Sequence, residues 1–452
     1  MKYDVLIIGA GPSGLFCAHE LLKARNVNVA IVDIGKSYSM KSCPLKDNKK
    51  CVHCKPCSTL TGEGGSAFFH PVKLIFYPAG SGLKKLLNND SDCLEVYTRA
   101  KKIFNEHGVT LENQDEFANN LFEKYESDGI HIKYYQSNPV SEDDFKQFIN
   151  KYLDEISNKA TFYFETEIVD LHHDTSWTME ALKNGQSLLF EADNVVIAVG
   201  EYGFRWWYNM SNKLGVEKTP ANVDIGVRIE CPSGLMDNIW LFHKDIKAKI
   251  TAPDGSEVRT YCVLKNGQSI YCNHQDFAVI DGISDANSSI AGITIFNRIA
   301  PSVIKSDKTI PFAIDYLVSL HNKHKEPIYT DMGNFLDGKK CEDTKQIKPS
   351  LLSLEYSDNN DYLPNFIRRN IAYGIRSFTK IIPGLSNPSN VVLIPVVDNF
   401  WDKINVSKNM ESSLEGLYVI GDATGIMRGI MQACVSGILC AEGITQKINE
   451  VQ

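Results

Sequence analysis

Residues 3–14 constrain this chain more than any other stretch. Tyr3 to Gly9 (YDVLIIG) is a short, apolar, β-branched run of the kind that forms a strand buried on both faces, and it ends in Gly9-Ala10-Gly11-Pro12-Ser13-Gly14. Leu15, Ala18, Leu21 and Leu22 recur at helical spacing, so a helix follows at once; Val27 to Asp33 (VNVAIVD) then predicts a second strand ending in an acid. This order is the dinucleotide-binding fingerprint in its required context. Gly9 permits the tight turn, Gly11 lets backbone approach a pyrophosphate, Gly14 lets helix and strand pack closely, and the helix N-terminus stabilises phosphate charge. Asp33 is expected to accept hydrogen bonds from a ribose. At this point the nucleotide is either NAD or FAD.

Two later segments bear on that choice. Ala192 to Gly200 (ADNVVIAVG) reads as a strand whose end, Ala198 and Gly200, passes close to the dinucleotide. Leu417 to Gly425 (LYVIGDATG) reads as another, ending in Gly421-Asp422 and followed by Arg428 and a helix beginning near Gly429. With these segments the sequence resembles the FAD-binding fold of the glutathione-reductase type. The resemblance implies that Asp422 holds the ribityl chain and that the next helix points its N-terminus at the flavin pyrimidine ring. Free N–H groups at Ile430 and Met431 would then stabilise the negative charge of reduced flavin. Gly64, Gly65 and Ile168 complete the cofactor residues expected. Residues 40 to 400 hold no second GxGxxG between a strand and a helix, so NAD(P)H is expected only as a transient donor.

The likeness extends along the chain. Cys43-Pro44, Cys51-Val-His-Cys54-Lys-Pro-Cys57, Gly62-Glu-Gly64-Gly65, Lys73-Leu74, Asp224-Ile-Gly226-Val-Arg228-Ile-Glu230, Val258-Arg259-Thr-Tyr-Cys262, Asn287 and Ile382-Pro383-Gly384 are similar to a family of bacterial FAD-dependent dehydrogenases. The family pattern has Phe-Ser-Asp-Gly before the Lys-Leu pair, where this chain has Phe69-His70-Pro71-Val72; near Asp281-Gly282 it has Asn-Gly.

Cys43, Cys51, Cys54 and Cys57, spaced C-x7-C-x2-C-x2-C, leave three readings open: ligands to Zn or an iron–sulfur cluster, a redox-active dithiol, or structural thiols. Lys46, Lys49, Lys50 and Lys55 are expected to lower the thiol pKa values. His70 is a candidate flavin neighbour. Arg228 and Arg259 lie inside apolar strands, where a buried guanidinium needs an anionic substrate, the flavin phosphates or an internal carboxylate.

The expected fold class is α/β: a Rossmann-like, three-layer FAD-binding domain with an inserted, β-sheet-rich substrate domain. Because the fingerprint segments lie near 9, 200 and 421, the cofactor domain is discontinuous (1–80, 160–222 and 380–452), with a helical excursion at 81–159 and a cap at 223–379. A chain of 452 residues has room for this.

The expected function is hydride transfer between flavin N5 and an organic small-molecule substrate. The rivals are carbon–carbon double-bond reduction of the geranylgeranyl-reductase-like type and a flavin and cysteine redox sensor or electron carrier with a partner protein. Net charge is −8 with no basic block, which counts against a nucleic-acid partner. No apolar run approaches 18 residues, so no membrane-spanning segment is expected, and twelve scattered Cys without a leader pattern suggest the cytoplasm.

Overall fold

The computed structural model describes residues 1–451 apart from 24–26, 48, 68–71, 112–122, 342–346 and 360. The fingerprint builds its predicted unit: strand Lys2–Ile8, helix Pro12–Leu21 and strand Val29–Val32. The apolar run has no alternation because both faces are covered, and Val5, Leu6 and Ile7 have no solvent exposure. Lys2–Ile8 pairs in parallel with Val29–Val32 on one side and with the far half of Gln186–Ile197 on the other. Thr161–Tyr163 and Leu417–Val419 extend the parallel sheet at its two ends. The near half of Gln186–Ile197 instead joins an antiparallel meander with Thr166–His173 and Trp177–Lys183. Parallel sheet, meander and flanking helices give the Rossmann-like α/β architecture that the sequence predicts.

The helical excursion forms Ser81–Leu87, Asp90–Glu106 and Glu142–Ser157. Phe104 and Tyr152 from its two long helices pack at a tilt against Phe16 of the nucleotide helix, and Phe148 stacks on both, so this layer covers one face of the parallel sheet. The long C-terminal helix Ile430–Val451 packs on the same nucleotide helix, closely enough that a Cβ on Gly437 would sit 2.4 Å from the Ser13 carbonyl oxygen.

A second, mostly antiparallel sheet of eight strands has the order Glu355–Tyr356, Ile328–Asp331, Val391–Asp398, Val223–Pro232, Ile290–Ile299, Glu257–Leu264, Lys247–Thr251 and His131–Lys133. Two of its members come from outside 223–379. Val391–Asp398 reads VVLIPVVD, a run with no polar alternation, and it is buried between Val223–Pro232 and Ile328–Asp331 instead of returning to the nucleotide fold. His131–Lys133 joins at the far edge from the helical excursion. A separate hairpin, Gly267–Asn273 with Ala278–Ser284, leans from this sheet toward the nucleotide turn.

Candidate functional site

At the end of the first strand, the three fingerprint glycines meet different surroundings. A Cβ on Gly9, which has φ +112°, would sit 2.5 Å from the Ala198 carbonyl oxygen, and one on Gly14 would sit 2.1 Å from the Gly9 carbonyl oxygen. Those two are glycine because backbone packs on backbone. Gly11 differs, since a Cβ there would have nothing within 4 Å. Its surface faces the open groove, where an added side chain would occupy the space a phosphate needs.

The groove has a volume of about 430 Å3 and runs from Asp33 to the start of the C-terminal helix. Gly9, Gly11, Pro12, Ser13, Gly65, Ile168, Ala198, Gly200, Asp422, Gly429 and Ile430 line it, so eleven of the expected cofactor residues share a wall with Asp33. Gly64 donates its N–H to the Ala10 carbonyl at 2.7 Å, which docks the 62–65 loop on the nucleotide turn; Gly65 has φ +54° and approaches Gly11. Gly14, Gly64, Gly421 and Met431 support the wall from behind. Gly421 takes φ +63°, and its N–H donates to Ser436 Oγ at 2.9 Å.

Asp33 is engaged more heavily than a ribose ligand needs to be. Its Oδ2 accepts the Ala10 N–H at 2.8 Å, while Oδ1 accepts those of Gly35 at 2.7 Å and Gly62 at 2.8 Å. The carboxylate thus fixes three loops around the groove. Only its remaining lone pairs face a ligand.

At the other end, burial raises the Asp422 carboxyl to about 6, and nearby Arg428 only partly opposes this. Arg428 is ion-paired with Asp398, which joins the C-terminal segment to the second sheet. The first N–H groups of a helix have no intrahelical acceptor, so at Ile430 and Met431 the helix presents donors and positive dipole to that end of the groove.

Several groove residues carry no motif. Glu201 and Tyr202 follow Gly200; His274 and Phe277 come from the tip of the separate hairpin. His274 Nε2 lies 3.3 Å from Glu201 Oε1, and its ring stacks on Tyr202. Trp206 also lines the groove, and its buried indole N–H has no hydrogen-bond partner among the described residues. The signal for the first pair was their place directly after the Gly200 turn; for the hairpin tip there was none. Trp207, the neighbour, is core and donates to the Ala423 carbonyl at 3.1 Å.

The other candidates fall elsewhere. His70 lies outside the described residues. Arg228 is fully buried in the second sheet and does not line the groove: it donates to Ser269 Oγ at 3.2 Å, Thr294 Oγ1 at 3.3 Å and the Cys262 carbonyl at 3.4 Å. Gly282 and Gly292 flank its guanidinium so tightly that a Cβ on either would fall 2.0 or 2.2 Å from Nη2. Arg259 pairs with buried Asp224, which Arg298 also holds, at 3.0 Å. An internal carboxylate, Asp224, therefore answers Arg259, as one of the sequence options had it. Glu230 accepts from Ser269 Oγ at 2.6 Å and the Ser350 N–H at 2.8 Å.

Cys43, Cys51, Cys54 and Cys57 share one loop, and no three of their sulfurs lie within 4.8 Å of one another. Among the described residues, the one set of three potential metal-ligating groups within 4.8 Å of one another lies elsewhere. Cys54 and Cys57 interact as a pair. A hydrogen bond from Cys57 holds the Cys54 thiol well below the usual range, helped by the Ser58 N–H at 3.4 Å, while Cys57 is pushed up. The expected role of the neighbouring lysines is not what sets this asymmetry: Lys55 donates to the Gln275 carbonyl and Lys49 pairs with Asp47. Cys54 borders a cleft with Gly35, Lys36 and Tyr202, on the Asp33 side of the groove, away from Asp422.

Residues 3–220 match the family of pyridine nucleotide-disulphide oxidoreductases. The chain is 23% identical over 343 residues to an uncharacterized protein of Clostridium beijerinckii, an alignment covering 70% of this chain and 63% of that protein; the chain thus spans less than two-thirds of the relative's length. Among solved structures, it resembles a geranylgeranyl bacteriochlorophyll reductase-like protein from Thermoplasma acidophilum (12% identity, 99% of this chain and 79% of that one, TM-score 0.40). It also resembles glycine oxidase from Geobacillus kaustophilus (14% identity, 98% and 95%, TM-score 0.41). Likeness at that level assigns neither substrate nor reaction. Among the described residues, no helix is long and apolar enough to cross a membrane. The segment similar to that family contains the nucleotide turn, Asp33, the 62–65 loop and Ala198-Gly200 of the groove.

Proposed function

We propose that the groove holds FAD and that the protein is an FAD-dependent oxidoreductase acting on a small organic molecule admitted between the two sheets. The observation that carries this reading is the opening at Gly11 between an acid-anchored end at Asp33 and a helix N-terminus beside Asp422. A diphosphate fits the bare backbone at Gly11; a group that gains negative charge on reduction fits the unpaired N–H groups at Ile430 and Met431. When bound, FAD supplies hydride transfer at its N5.

The protein's own contribution is positioning and proton handling. Asp33 and the 62–65 loop hold the adenosine end, and Asp422 accepts hydrogen bonds from hydroxyls at the other. Asp281, behind the groove lining on the hairpin whose tip enters it and within reach of the charge of groove-lining Glu201, is the carboxyl we assign to proton exchange with substrate: burial, with Glu201 adding to it and Arg228 opposing, raises it to about 6. It accepts the Gly282 N–H at 2.7 Å and faces the Cys262 thiol. Titration of the wild type against Asp281→Asn, following flavin reduction by candidate substrates, tests this role. The acid limb near pH 6 should vanish in the variant; an unchanged profile would remove Asp281 from the reaction.

One observation favours a second reading, in which a dithiol is the redox end of the protein. It is the uneven Cys54–Cys57 pair, whose low thiol is half-exposed while its partner is buried. Its place on the adenosine side of the groove argues for a partner reached through solvent rather than direct exchange with the ring. Unimpaired substrate turnover in Cys54→Ser with lost oxidation of an added dithiol protein would favour this second reading.

A further inference from the structure

Away from the groove, three helices bring His19, His107 and Glu155 together. His19 ends the nucleotide helix, His107 follows Asp90–Glu106, and Glu155 lies in the last turn of Glu142–Ser157. Both imidazoles are nearly buried, at 8% and 5% exposure, and both rings pack on Tyr152. The same nitrogen of each ring is already committed. His107 Nδ1 lies 2.7 Å from the Ile103 carbonyl oxygen, which can only accept, so Nδ1 carries a proton and Nε2 is the nitrogen open to a ligand. His19 Nδ1 lies 3.1 Å from Glu20 Oε1, and the same logic applies. The two Nε2 atoms then face one carboxylate: His19 is in hydrogen-bond contact with Glu155 Oε2 and His107 lies beside Oε1, each 3.3 Å away. His107 Nε2 is buried and has no hydrogen-bond partner.

An imidazole nitrogen facing a carboxylate oxygen needs a positive charge between them, either a proton on Nε2 or a metal ion. The spacing suits the ion. Zinc bonds of about 2.1 Å in tetrahedral geometry place neighbouring ligand atoms about 3.4 Å apart; here each Nε2 lies 3.3 Å from one of the two Glu155 oxygens and all three ligand atoms lie within 4.8 Å of one another. The ordering contacts have the form seen around metal ligands, with a carboxylate behind one imidazole and a backbone carbonyl behind the other. Glu155 is half-exposed, so the site opens to solvent on one side and has room for water as a fourth ligand.

We propose that His19 Nε2, His107 Nε2 and the Glu155 carboxylate form a divalent-cation site, with Zn2+ as its ion, that clamps the end of the nucleotide helix to the two helices covering it. The site is separate from the cysteine loop and independent of the flavin reading, because its residues lie outside the groove.

The test is a Zn2+ titration of the chelator-stripped full-length protein against a chromophoric chelator, run in parallel on Cys54→Ser, Glu155→Gln and His107→Gln. The wild type and Cys54→Ser are expected to bind one equivalent with equal affinity, and both Gln variants to lose at least about tenfold. Zn2+ should raise the melting temperature of the wild type and leave that of Glu155→Gln unchanged. Glu155 is a surface position, so this variant keeps the test meaningful if His107→Gln folds poorly. Absence of saturable binding in the wild type, or Glu155→Gln binding as tightly as the wild type, would overturn the proposal.

Discussion

The nucleotide groove and the second sheet solve the same problem, holding charge inside a protein, by opposite means. In the groove the work falls to backbone: N–H groups converge on Asp33, helix ends supply partial charge, and glycines let chain segments touch. In the second sheet it falls to side chains, with Asp224 between two guanidinium groups and Arg228 between two glycines and three oxygen acceptors. Backbone sites demand particular residue types at fixed spacing, and so they leave a pattern in sequence. Side-chain sites depend on which strands become neighbours, and spacing along the chain does not record that.

The sharpest way to break the comparison is at Gly14. Valine there would drive a side chain into the Gly9 carbonyl oxygen with no flexible group to yield, and we expect a loss of about 4 kcal/mol or more, read as loss of soluble protein. Asp224→Asn probes the side-chain region. Removing its charge leaves Arg259 and Arg298 facing a neutral amide, which should cost about 3 kcal/mol in denaturant unfolding.

The pH dependence of the same group follows from its environment. Burial alone would raise the Asp224 carboxyl, but Arg259 and Arg298 overcome this and hold it below the usual range. Its contribution is therefore fully present above the ordinary carboxylate pKa of about 4 and is lost as pH falls through the lower folded value. Wild-type stability should drop in that window more steeply than that of Asp224→Asn; parallel curves would show that the pair does not act as described.

Asp422→Ala is a milder change. It should leave folding intact and weaken flavin retention by about tenfold, the worth of one hydrogen-bonding carboxylate, measured by FAD release during dialysis. The smallest effect belongs to the thiols. Cys54 should be alkylated by iodoacetamide at pH 6 ahead of the other half-exposed cysteines, and Cys57→Ser should slow that reaction while leaving FAD content unchanged.

What could be read in advance follows the same division. Gly9, Gly11, Gly14 and the two strands around them gave the fold class, and Gly200 and Asp422 gave the far wall of the groove. Asp33 was legible as an anchor, but its three N–H donors were not: Gly35 reaches it through a local turn, and Ala10 and Gly62 only through the docking of separate loops. Val391–Asp398 looked like part of the returning nucleotide fold; its uniform apolarity says that it is buried and does not say in which sheet. The cysteine spacing leaves metal ligands, a redox dithiol and structural thiols open; the loop sets Cys54 beside Cys57, with Cys51 close enough to Cys43 and Cys54 for their charges to act on it. His19, His107 and Glu155 are 88 and 48 residues apart in succession, so only helix packing unites them.

The central claim is that a backbone-lined groove opened by Gly11 holds FAD. Its most direct test is the flavin content of the purified protein, measured by absorbance and by chromatography of the released cofactor, beside that of Gly11→Val at matched thermal stability. The account predicts near-stoichiometric FAD in the wild type and almost none in a Gly11→Val protein that still folds, since nothing in the protein lies within 4 Å of the added Cβ. A wild-type protein that cannot be loaded with FAD, or a folded Gly11→Val variant that retains it fully, would contradict the account.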